Sequence, residues 1–339
     1  MTKYNIAILG ATGAVGESIL DILAQRQFPV EQVYPLASHR SQGKDVRFGS
    51  KKLEVQDAAE FDFSKAHLAI FSAGSEASAH YAPIAADNGC VVIDNTSCFR
   101  YNDEIPLVVP EVNAHCIEQY KNHNIIANPN CSTIQMVVAL KPIYDAVGIT
   151  RINVATYQSV SGTGSAAISE LVKQAGEMLN GRSAEPEVYP FPISFNVLPH
   201  IDTFQDNGYT REEMKMFWET QKIMEDPNIL VNATCVRVPV FYGHSEAVHI
   251  ETKQKITAQE ARALLSQSPG IIVVDEAKAT GYPTPLFEGS GTDAVYVGRI
   301  REDISNPLGL NLWVVADNIR KGAALNSIQI AEILVNEYF

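Results

Sequence analysis

The stretch Asn5–Gly16 reads NIAILGATGAVG and decides the fold of the N-terminal part of the chain. Its apolar start predicts a buried strand, and an apolar helical face begins at Val15. Between strand and helix stand Gly10, Gly13 and Gly16. Glycine lets the backbone turn sharply and approach a pyrophosphate, which then lies at the positive end of the helix. The GxxGxxG spacing differs from the usual GxGxxG, but its strand-to-helix context favours a dinucleotide-binding site.

Outward from this stretch, short apolar runs alternate with helical patterns, which predicts β-α-β units and a parallel sheet. The expected strands are residues 6–9, 32–36, 68–71, 91–93 and 125–127, and the expected helices are residues 15–25 and 75–88. We therefore expect an α/β protein whose residues 1–129 form a Rossmann-like dinucleotide-binding domain. A C-terminal helix within 319–339 is expected to complete that domain.

The pattern changes after residue 130, and a second, mixed α+β domain is expected over residues 130–318. It opens with an apolar helix at 131–147, which Gly148 stops. Strands are expected at 152–160, 234–240 and 248–250, and the Pro-rich segment 186–199 is expected to be a loop or crossover.

Composition excludes several classes of function. The chain has 339 residues and a formal net charge of −13, which argues against a nucleic-acid partner. The N-terminus lacks the pattern of a signal peptide, and no apolar stretch is long enough for a membrane span. The five cysteines are odd in number and form no CxxC pair, so neither disulfides nor a metal site is expected. These features predict a cytoplasmic protein with reduced cysteines.

The end of the second expected strand bears on the choice between NAD and NADP. An NAD site places an acid there, whereas an NADP site needs a cation for the 2′-phosphate. The run Ala37–Ser41 has no acid, and Arg40 with Ser38 and Ser41 suits a phosphate. NADP is therefore favoured, with an ordinary basic loop as the alternative.

Cys131 is the strongest candidate for a nucleophile. It lies in NPNCST, residues 128–133, after a strand and at the start of an apolar helix. The dipole and free N–H groups of a helix N-terminus lower a thiol pKa and supply donors for an oxyanion. A nucleophilic cysteine also needs a base, and His244, in a Gly-containing turn after a strand, is the best candidate. His249 is expected to be structural.

Several longer segments closely resemble the aspartate-β-semialdehyde dehydrogenase family, in the family's order and over essentially the whole chain. These segments are GATGAVG (10–16), NTSCFR (95–100), VPEVN (109–113), NPNCST (128–133), YQSVSGTG (157–164), EEMK (212–215), CVRVPVFYGHSE (235–246) and WVVADNIRKGAALN (313–326). The pattern resembles the bacterial branch of the family.

The resemblance implies roles for individual residues. Cys131 would be the nucleophile, His244 the acid/base, and Gln158 would help to position the substrate. The substrate would be held by Arg237 at its α-carboxylate and by Glu212 at its ammonium group, with Arg100 and Lys215 at the phosphate and Asn130 next to the nucleophile. The expected contacts of NADP are Gly10, Thr12, Gly13, Ala14, Val15, Gly16, Ser38, Arg40, Ser41, Ser161, Gly162 and Asn318. An amino-acid substrate does need partners of both charges, and Arg is the best partner for a carboxylate.

The resemblance also implies the reaction. L-4-aspartyl phosphate would be reduced reversibly to L-aspartate 4-semialdehyde through a thioester on Cys131. This step belongs to the biosynthesis of lysine, threonine, methionine, isoleucine and diaminopimelate. The second domain would carry catalysis and dimerisation and form a homodimer, with doubling to a tetramer left open.

Three other functions remain as alternatives. An N-acetyl-γ-glutamyl-phosphate reductase would use the same chemistry, but its acylated substrate has no ammonium group for Glu212. A glyceraldehyde-type phosphorylating dehydrogenase would not need a clamp for an α-carboxylate. A non-catalytic NADP-binding sensor would not need Cys131, Gln158 and His244 together.

Overall fold

The computed structural model describes residues 2–339, which divide into two compact units. Unit 1 contains the residues up to Asn130 together with Ala323–Phe339, and unit 2 is the continuous segment Cys131–Gly322. The sequence analysis places the corresponding boundaries after residues 129 and 318. No helix among the described residues is long and apolar enough to cross a bilayer.

Unit 1 is built on a six-stranded sheet in which every neighbouring pair of strands is parallel. Its strands and helices, with the separate hairpin β3–β4, are β1 Tyr4–Leu9, α1 Ala14–Gln25, β2 Val30–Ala37, β3 Asp45–Phe48, β4 Lys51–Glu54, β5 Gln56–Asp57, β6 Leu68–Phe71, α2 Ser75–Asp87, β7 Val91–Asp94, α3 Pro110–Asn113 and β8 Ile125–Ala127. The strand order is β5-β2-β1-β6-β7-β8. The predicted parallel, Rossmann-like architecture is therefore confirmed.

The strand and helix around the glycine run form because their apolar residues share a core. Ile6 and Ile8 of β1 point into it, and Ile19 and Leu23 of α1 cover them; all four are fully buried. Full burial of such a side chain stabilises the fold by about 1.5–3 kcal/mol. The β1–α1 pair is thus anchored on both sides of the turn that holds the glycines.

Unit 2 is built on a mixed six-stranded sheet with helices against it. Its elements are α4 Cys131–Val147, β9 Ile149–Gln158, α5 Ser165–Leu179, α6 Arg211–Ile223, β10 Leu230–Arg237, β11 His244–Thr252, α7 Ala258–Ser266, β12 Ile271–Val273, β13 Val295–Glu302 and β14 Gly309–Ala316. The order is β10-β9-β11-β14-β13-β12, with β9–β10 and β12–β13 parallel and the other pairs antiparallel. The expected mixed domain is confirmed, and α4 has the predicted bounds.

Three predicted strand ends in unit 2 are wrong. The strand expected at 152–160 ends at Gln158, because Val160 begins the 3-10 turn Val160–Thr163. The strand expected at 234–240 ends at Arg237, because the backbone beyond it leaves the sheet and Val240 O accepts a hydrogen bond from Val160 N. The turn expected to hold His244 is already strand, because His244 pairs with Ala316 at the first position of β11.

The chain returns to unit 1 through its last helix, α8 Leu325–Ile333. The buried faces of Leu325, Ile328 and Ala331 join the core that contains β1 and α1. Arg26 at the end of α1 forms a bidentate pair with Glu332, with both N–O distances 2.7 Å. These contacts make the C-terminal helix an integral part of unit 1.

Candidate active site

The glycine run of unit 1 forms a turn that admits no side chain at two of its three glycines. Gly10 has φ 91°, and a Cβ there would lie 2.9 Å from the Ser72 backbone. A Cβ on Gly16 would lie 2.2 Å from Gly10 O, so the helix can approach the strand only with glycine. Gly13 differs, because it is exposed and a Cβ on it would meet only Gly10 O at 3.4 Å. Its peptide is therefore the part of the turn that an approaching phosphate can reach.

A cavity of about 370 Å³ opens beside this turn at the carboxyl ends of the parallel strands. This edge is where ligands bind in doubly wound sheets. Five predicted cofactor contacts line it: Gly10, Thr12, Gly13, Ser38 and Ser41. The other lining residues are Leu9, Ala37 and Ala58 and a group after β6, namely Ser72, Ala73, Ala77 and Tyr81. Residues 72–81 were missed by the sequence analysis, although their position after the strand next to β1 could have indicated them.

The segment after β2 brings Ser38 and Ser41 to the cavity, whereas Arg40 is exposed on the short turn His39–Ser41 and is not part of its lining. His39 lies beside the buried Asp57, with 3.2 Å between Nδ1 and the carboxylate. Asp57 also accepts a hydrogen bond from Ala59 N. Asp57, an acid beside this strand end, is thus already engaged by the protein.

Arg100 lies in the loop that follows β7 in unit 1. It is buried and donates from Nη2 to Asn95 O at 2.9 Å. Asp94 at the end of β7 accepts hydrogen bonds from Ser78 and Thr96. Burial raises the pKa of Asp94, although these hydrogen bonds and the Arg100 charge oppose the shift. The backbone of the loop thus holds Arg100, and the Arg100 charge acts on the nearby Asp94 carboxyl.

Cys131 is the first residue of α4, as predicted. Gly322 packs directly against it, because a Cβ on Gly322 would lie 2.7 Å from Cys131 Cβ. Three other thiols are poor nucleophiles. Burial raises the pKa of Cys90 to about 12, and it also raises the pKa of Cys98 and of Cys235. Cys98 and Cys131 are both partly exposed, and Cys131 is distinguished by its place at the helix start.

Glu212 joins two predicted substrate residues in a buried cluster. Its Oε1 accepts a hydrogen bond from Gln158 Nε2 at 3.1 Å, and its Oε2 accepts one from Lys215 Nζ at 3.0 Å. Lys215 also donates to Asp202 at 2.8 Å. Asp202 was not predicted, and no local motif indicates it. The cluster carries two carboxylates and one ammonium group.

Neighbouring charges set the protonation of this cluster. Burial disfavours the ammonium form of Lys215, but the carboxylates of Glu212 and Asp202 outweigh it and raise its pKa. Burial likewise acts against the Asp202 carboxylate, but Lys215 lowers its pKa. Lys215 is therefore charged, and an ammonium group with three donors retains one beyond these two bonds.

Arg237, the last residue of β10, lies next to the segment that follows β9. It is buried, and its Nη1 donates to Ser159 O at 2.7 Å. A Cβ on Gly162 would lie 3.1 Å from Arg237 Nη1 and 3.5 Å from His244 Nε2. Gly162 thus leaves the space beside both predicted functional side chains open.

His244 has a defined proton position. Its Nδ1 accepts a hydrogen bond from Ser159 N at 3.1 Å, so in the neutral ring the proton is on Nε2. Nε2 is buried and has no hydrogen-bond partner among residues 2–339. Burial, followed by the positive charge of Arg237, lowers the pKa of His244 to about 3. The imidazole is therefore neutral and presents an N–H donor.

Asn318 organises the turns around His244. Its Oδ1 accepts hydrogen bonds from Ser159 Oγ, at 3.1 Å, and from Gly243 N, at 3.0 Å, while its side chain also bonds to Ser161 Oγ. The predicted residues Ser161, Gly162 and Asn318 are thus brought together with His244. Ser159, which contacts Arg237, His244 and Asn318, was missed because its importance depends on three distant segments.

Two family models together match most of the chain. Residues 5–120 match the model described as "Semialdehyde dehydrogenase, NAD binding domain", and residues 140–321 match "Semialdehyde dehydrogenase, dimerisation domain". The match to the first covers the glycine turn and its cavity. The match to the second covers the cluster around Gln158, Glu212, Arg237 and His244.

Individual relatives agree with the family models. The chain is 66% identical to an aspartate-semialdehyde dehydrogenase from Legionella pneumophila over 334 residues, 98% of this chain and 96% of the relative. A crystal structure of aspartate semialdehyde dehydrogenase II from Vibrio cholerae complexed with ASA has a TM-score of 0.98 and 60% identity, with both chains covered completely. The aspartate semialdehyde dehydrogenase from Candida albicans, solved with NADP, has a TM-score of 0.77 and 25% identity, covering 98% of this chain and 99% of that one.

Proposed function

Because the chain belongs to the aspartate-semialdehyde dehydrogenase family, whose members are oxidoreductases of amino-acid biosynthesis, we propose that it uses NADP and a covalent thioester. It reduces L-4-aspartyl phosphate to L-aspartate 4-semialdehyde and runs the same reaction backwards with phosphate. This step supplies the lysine, threonine, methionine, isoleucine and diaminopimelate pathways. The proposed location is the cytoplasm, where thiols are kept reduced.

One observation carries the proposal of an amino-acid substrate. Gln158, the last residue of β9, and Ser159 after it bind side chains of opposite charge. Gln158 donates to the Glu212 carboxylate, and the Ser159 carbonyl accepts from the Arg237 guanidinium. A zwitterionic α-amino acid needs both, since its carboxylate pairs with Arg and its ammonium group pairs with an acid. An N-acetylated substrate would leave Glu212 without a cationic group from the substrate.

The cofactor site is proposed in unit 1, and its residues fit a dinucleotide. Gly10 and Gly16 admit no Cβ, and Gly13 exposes its peptide to a cavity lined by Thr12, Ser38 and Ser41. When bound, the nicotinamide cofactor supplies the hydride that reduces the thioester. The proposed contacts of unit 1 outside the cavity lining are Ala14, Val15, Gly16 and Arg40. For Ser161, Gly162 and Asn318 of unit 2, contact with the cofactor stays a prediction. Arg40 supplies the cation for a 2′-phosphate.

In the proposed mechanism, Cys131 Sγ attacks the acyl carbon and forms a thioester as the C–O bond to phosphate breaks. Phosphate is released with Arg100 and Lys215 as its proposed cations, and it takes one proton from water to become the dianion. Backbone N–H groups at the start of α4 and the adjacent Asn130 stabilise negative charge on the acyl oxygen. Gln158 orients the substrate through its position beside Glu212.

His244 acts on the oxygen of the tetrahedral intermediate after hydride transfer. Its Nε2–H donates a hydrogen bond as negative charge develops on that oxygen. As the acid/base, His244 shares its Nε2 proton with this oxygen as negative charge develops and keeps the proton when the carbonyl forms. Burial, followed by the positive charge of Arg237, lowers the pKa of His244, and the substrate carboxylate offsets only the second of these causes. Collapse breaks the C–S bond, releases the aldehyde and restores the Cys131 thiolate.

The experiment is a phosphate-dependent assay with aspartate semialdehyde and NADP, followed by NADPH absorbance. Cys131→Ser should lower kcat by at least about 10³-fold, because the covalent route is lost, while NADPH binding measured by fluorescence stays unchanged. Near-normal activity of this variant would contradict the thioester. Turnover of N-acetylglutamate semialdehyde instead would reassign the substrate, and inactivity with both despite NADPH binding would support the sensor.

We also propose that the protein forms a homodimer through unit 2. The model that matches residues 140–321 describes a dimerisation domain. Unit 2 exposes large apolar side chains that a partner would cover, namely Val172, Leu179, Phe195 and Phe204. Light scattering after gel filtration should give twice the chain mass, and Leu179→Glu should shift the mass towards that of one chain if α5 lies in the interface.

A further inference from the structure

The Pro-rich segment 186–199 has no role in the proposed mechanism, yet it is firmly held. It has no regular secondary structure beyond a bridge between Leu198 and Arg237. Two buried side chains of α5 anchor it. Glu170 accepts hydrogen bonds from Glu187 N and Val188 N, and Gln174 accepts them from Ile193 N and Ser194 N. Gln174 also donates to Glu170 at 2.7 Å.

A small core of its own supports the segment from below. Ala167 and Leu171 of α5 pack with Ile193 and Leu198 of the segment and with Val160. All five are buried, and Tyr189 packs against their edge. Hydrogen bonds and apolar burial together therefore give the segment one defined path, so that Tyr189 has a fixed place.

Tyr189 faces Arg237. The guanidinium carbon of Arg237 lies 6.0 Å from the centroid of the Tyr189 ring, at the limit of a cation–π contact. The Tyr189 hydroxyl donates to Thr163 Oγ1 at 2.9 Å, which fixes the other end of the ring. Thr163 ends the turn that contains Ser161 and Gly162. The ring is therefore held between the arginine and this turn.

Arg237 needs such a neighbour. The Ser159 carbonyl holds its Nη1, while its buried Nε has no hydrogen-bond partner among residues 2–339. A guanidinium held at one nitrogen can still rotate, and a carboxylate is bound best when both donors of the fork are aligned. An aromatic face against the guanidinium restricts that rotation.

We propose that Tyr189 is a positioning residue for Arg237 and that the Pro-rich segment thereby sets the affinity for the α-carboxylate of the substrate. This inference rests on the proposed function, in which Arg237 binds that carboxylate. The ring aligns the guanidinium before the substrate arrives, and the hydroxyl maintains the ring through Thr163. Loss of the ring should therefore weaken the binding of substrates that carry an α-carboxylate and leave the binding of substrates without one nearly unchanged.

The test compares L-aspartate semialdehyde with 3-aminopropanal, which lacks only the α-carboxylate. Tyr189→Leu should lower kcat/KM for aspartate semialdehyde about tenfold, mainly through KM, and change it less than about twofold for 3-aminopropanal. Tyr189→Phe keeps the ring and should lose about threefold or less. Tyr144→Leu is the matched control, because Tyr144 bonds to Asp226 near the far end of α4 and should leave both substrates unchanged.

If turnover of 3-aminopropanal is too slow to measure, inhibition constants provide the same comparison. L-homoserine and 3-amino-1-propanol also differ only in the α-carboxylate. Equal losses for both members of a pair, or no loss for either, would overturn the role of Tyr189. Arg237→Ala separates this failure from that of the proposed function. If it too affects both members equally, Arg237 does not bind the carboxylate; if it discriminates and Tyr189→Leu does not, only the inference about Tyr189 fails.

Discussion

The glycine turn of unit 1 is formed by backbone, whereas the charged site of unit 2 is formed by side chains. The turn is backbone from one run of seven residues, 10–16, and its shape depends on side chains that are absent. The cluster consists of side chains from segments around 158, 202, 212, 237 and 244, joined by long-range hydrogen bonds. Substitution should therefore disturb the turn by adding atoms and the cluster by removing charge.

Among the changes that test this comparison, the largest effect is expected from removing one charge of the cluster. Glu212→Gln removes the acid that we assign to the substrate ammonium and takes one of two carboxylates from Lys215. We expect kcat/KM for aspartate semialdehyde to fall about 100-fold, as when one member of a buried charge pair is removed. Steady-state kinetics measure this.

Glu213→Gln is the neighbouring control for that variant. Glu213 accepts a hydrogen bond from Thr210 N in the helix cap and another from Cys235 N of β10. The Glu213→Gln substitution should lower the melting temperature while leaving kcat/KM of the folded protein unchanged. Equal kinetic losses in both variants would remove the distinction between site and scaffold.

The glycine turn should respond to methyl groups in opposite ways at two positions. Gly16→Ala places Cβ within 2.2 Å of Gly10 O, so the α1–β1 packing must open; we expect about 3 kcal/mol of lost stability. Gly13→Ala meets nothing closer than 3.4 Å and should leave stability nearly unchanged while weakening NADPH binding. Urea unfolding and NADPH titration measure the two effects. Equal destabilisation by both variants would contradict a backbone-built site.

Cofactor choice should depend on one exposed side chain. Arg40→Ala removes the cation proposed for the 2′-phosphate and should raise the KM for NADPH about tenfold, the loss of one charge-assisted contact. The KM for NADH should not change. Arg47→Ala, an exposed arginine on β3, should leave both constants unaltered. An unchanged KM for NADPH in Arg40→Ala would instead indicate an ordinary basic loop.

The smallest effect concerns Glu246, which is completely buried on β11 two residues beyond His244. Burial raises its pKa well above 4.5, and the Gln135 amide only partly opposes this shift. Above pH 4.5 the unfolded chain releases a proton that the folded chain keeps, so this group costs stability as pH rises. Glu246→Gln should therefore gain stability relative to wild type with increasing pH and show no gain below pH 4. Denaturant midpoints across pH test the trend, and a pH-independent difference would contradict it.

What could be predicted from the sequence follows the same division. The glycine turn, the parallel strands around it and the start of α4 at Cys131 depend on local periodicity and spacing, and they were predicted. The sequence also contains the capping box of Thr210 and Glu213, which indicates a helix start. The sequence analysis did not use it to predict α6, the helix that carries Glu212. The roles of Glu212 and Arg237 came from family resemblance rather than from any local pattern.

The remaining site residues could not be predicted, because their partners are far away in the chain. Ser159 matters through Arg237, His244 and Asn318, and Asp202 matters only because Lys215 folds back onto it. Gly322 matters because it packs against Cys131, nearly two hundred residues earlier. Such contacts are a property of the folded sheet and leave no periodic trace in the sequence.

The return of α8 to unit 1 has a consequence for the order in which the protein is made on the ribosome. Tyr4 in the first strand donates a hydrogen bond to Val335 O, 331 positions later. Unit 2 is continuous and can complete its core while the last residues are still being translated, whereas unit 1 must wait for them with β1 and α1 incompletely covered. The half of the protein that is synthesised first is thus the last to be finished, and a chain that stops short of α8 cannot complete the unit that carries the glycine turn.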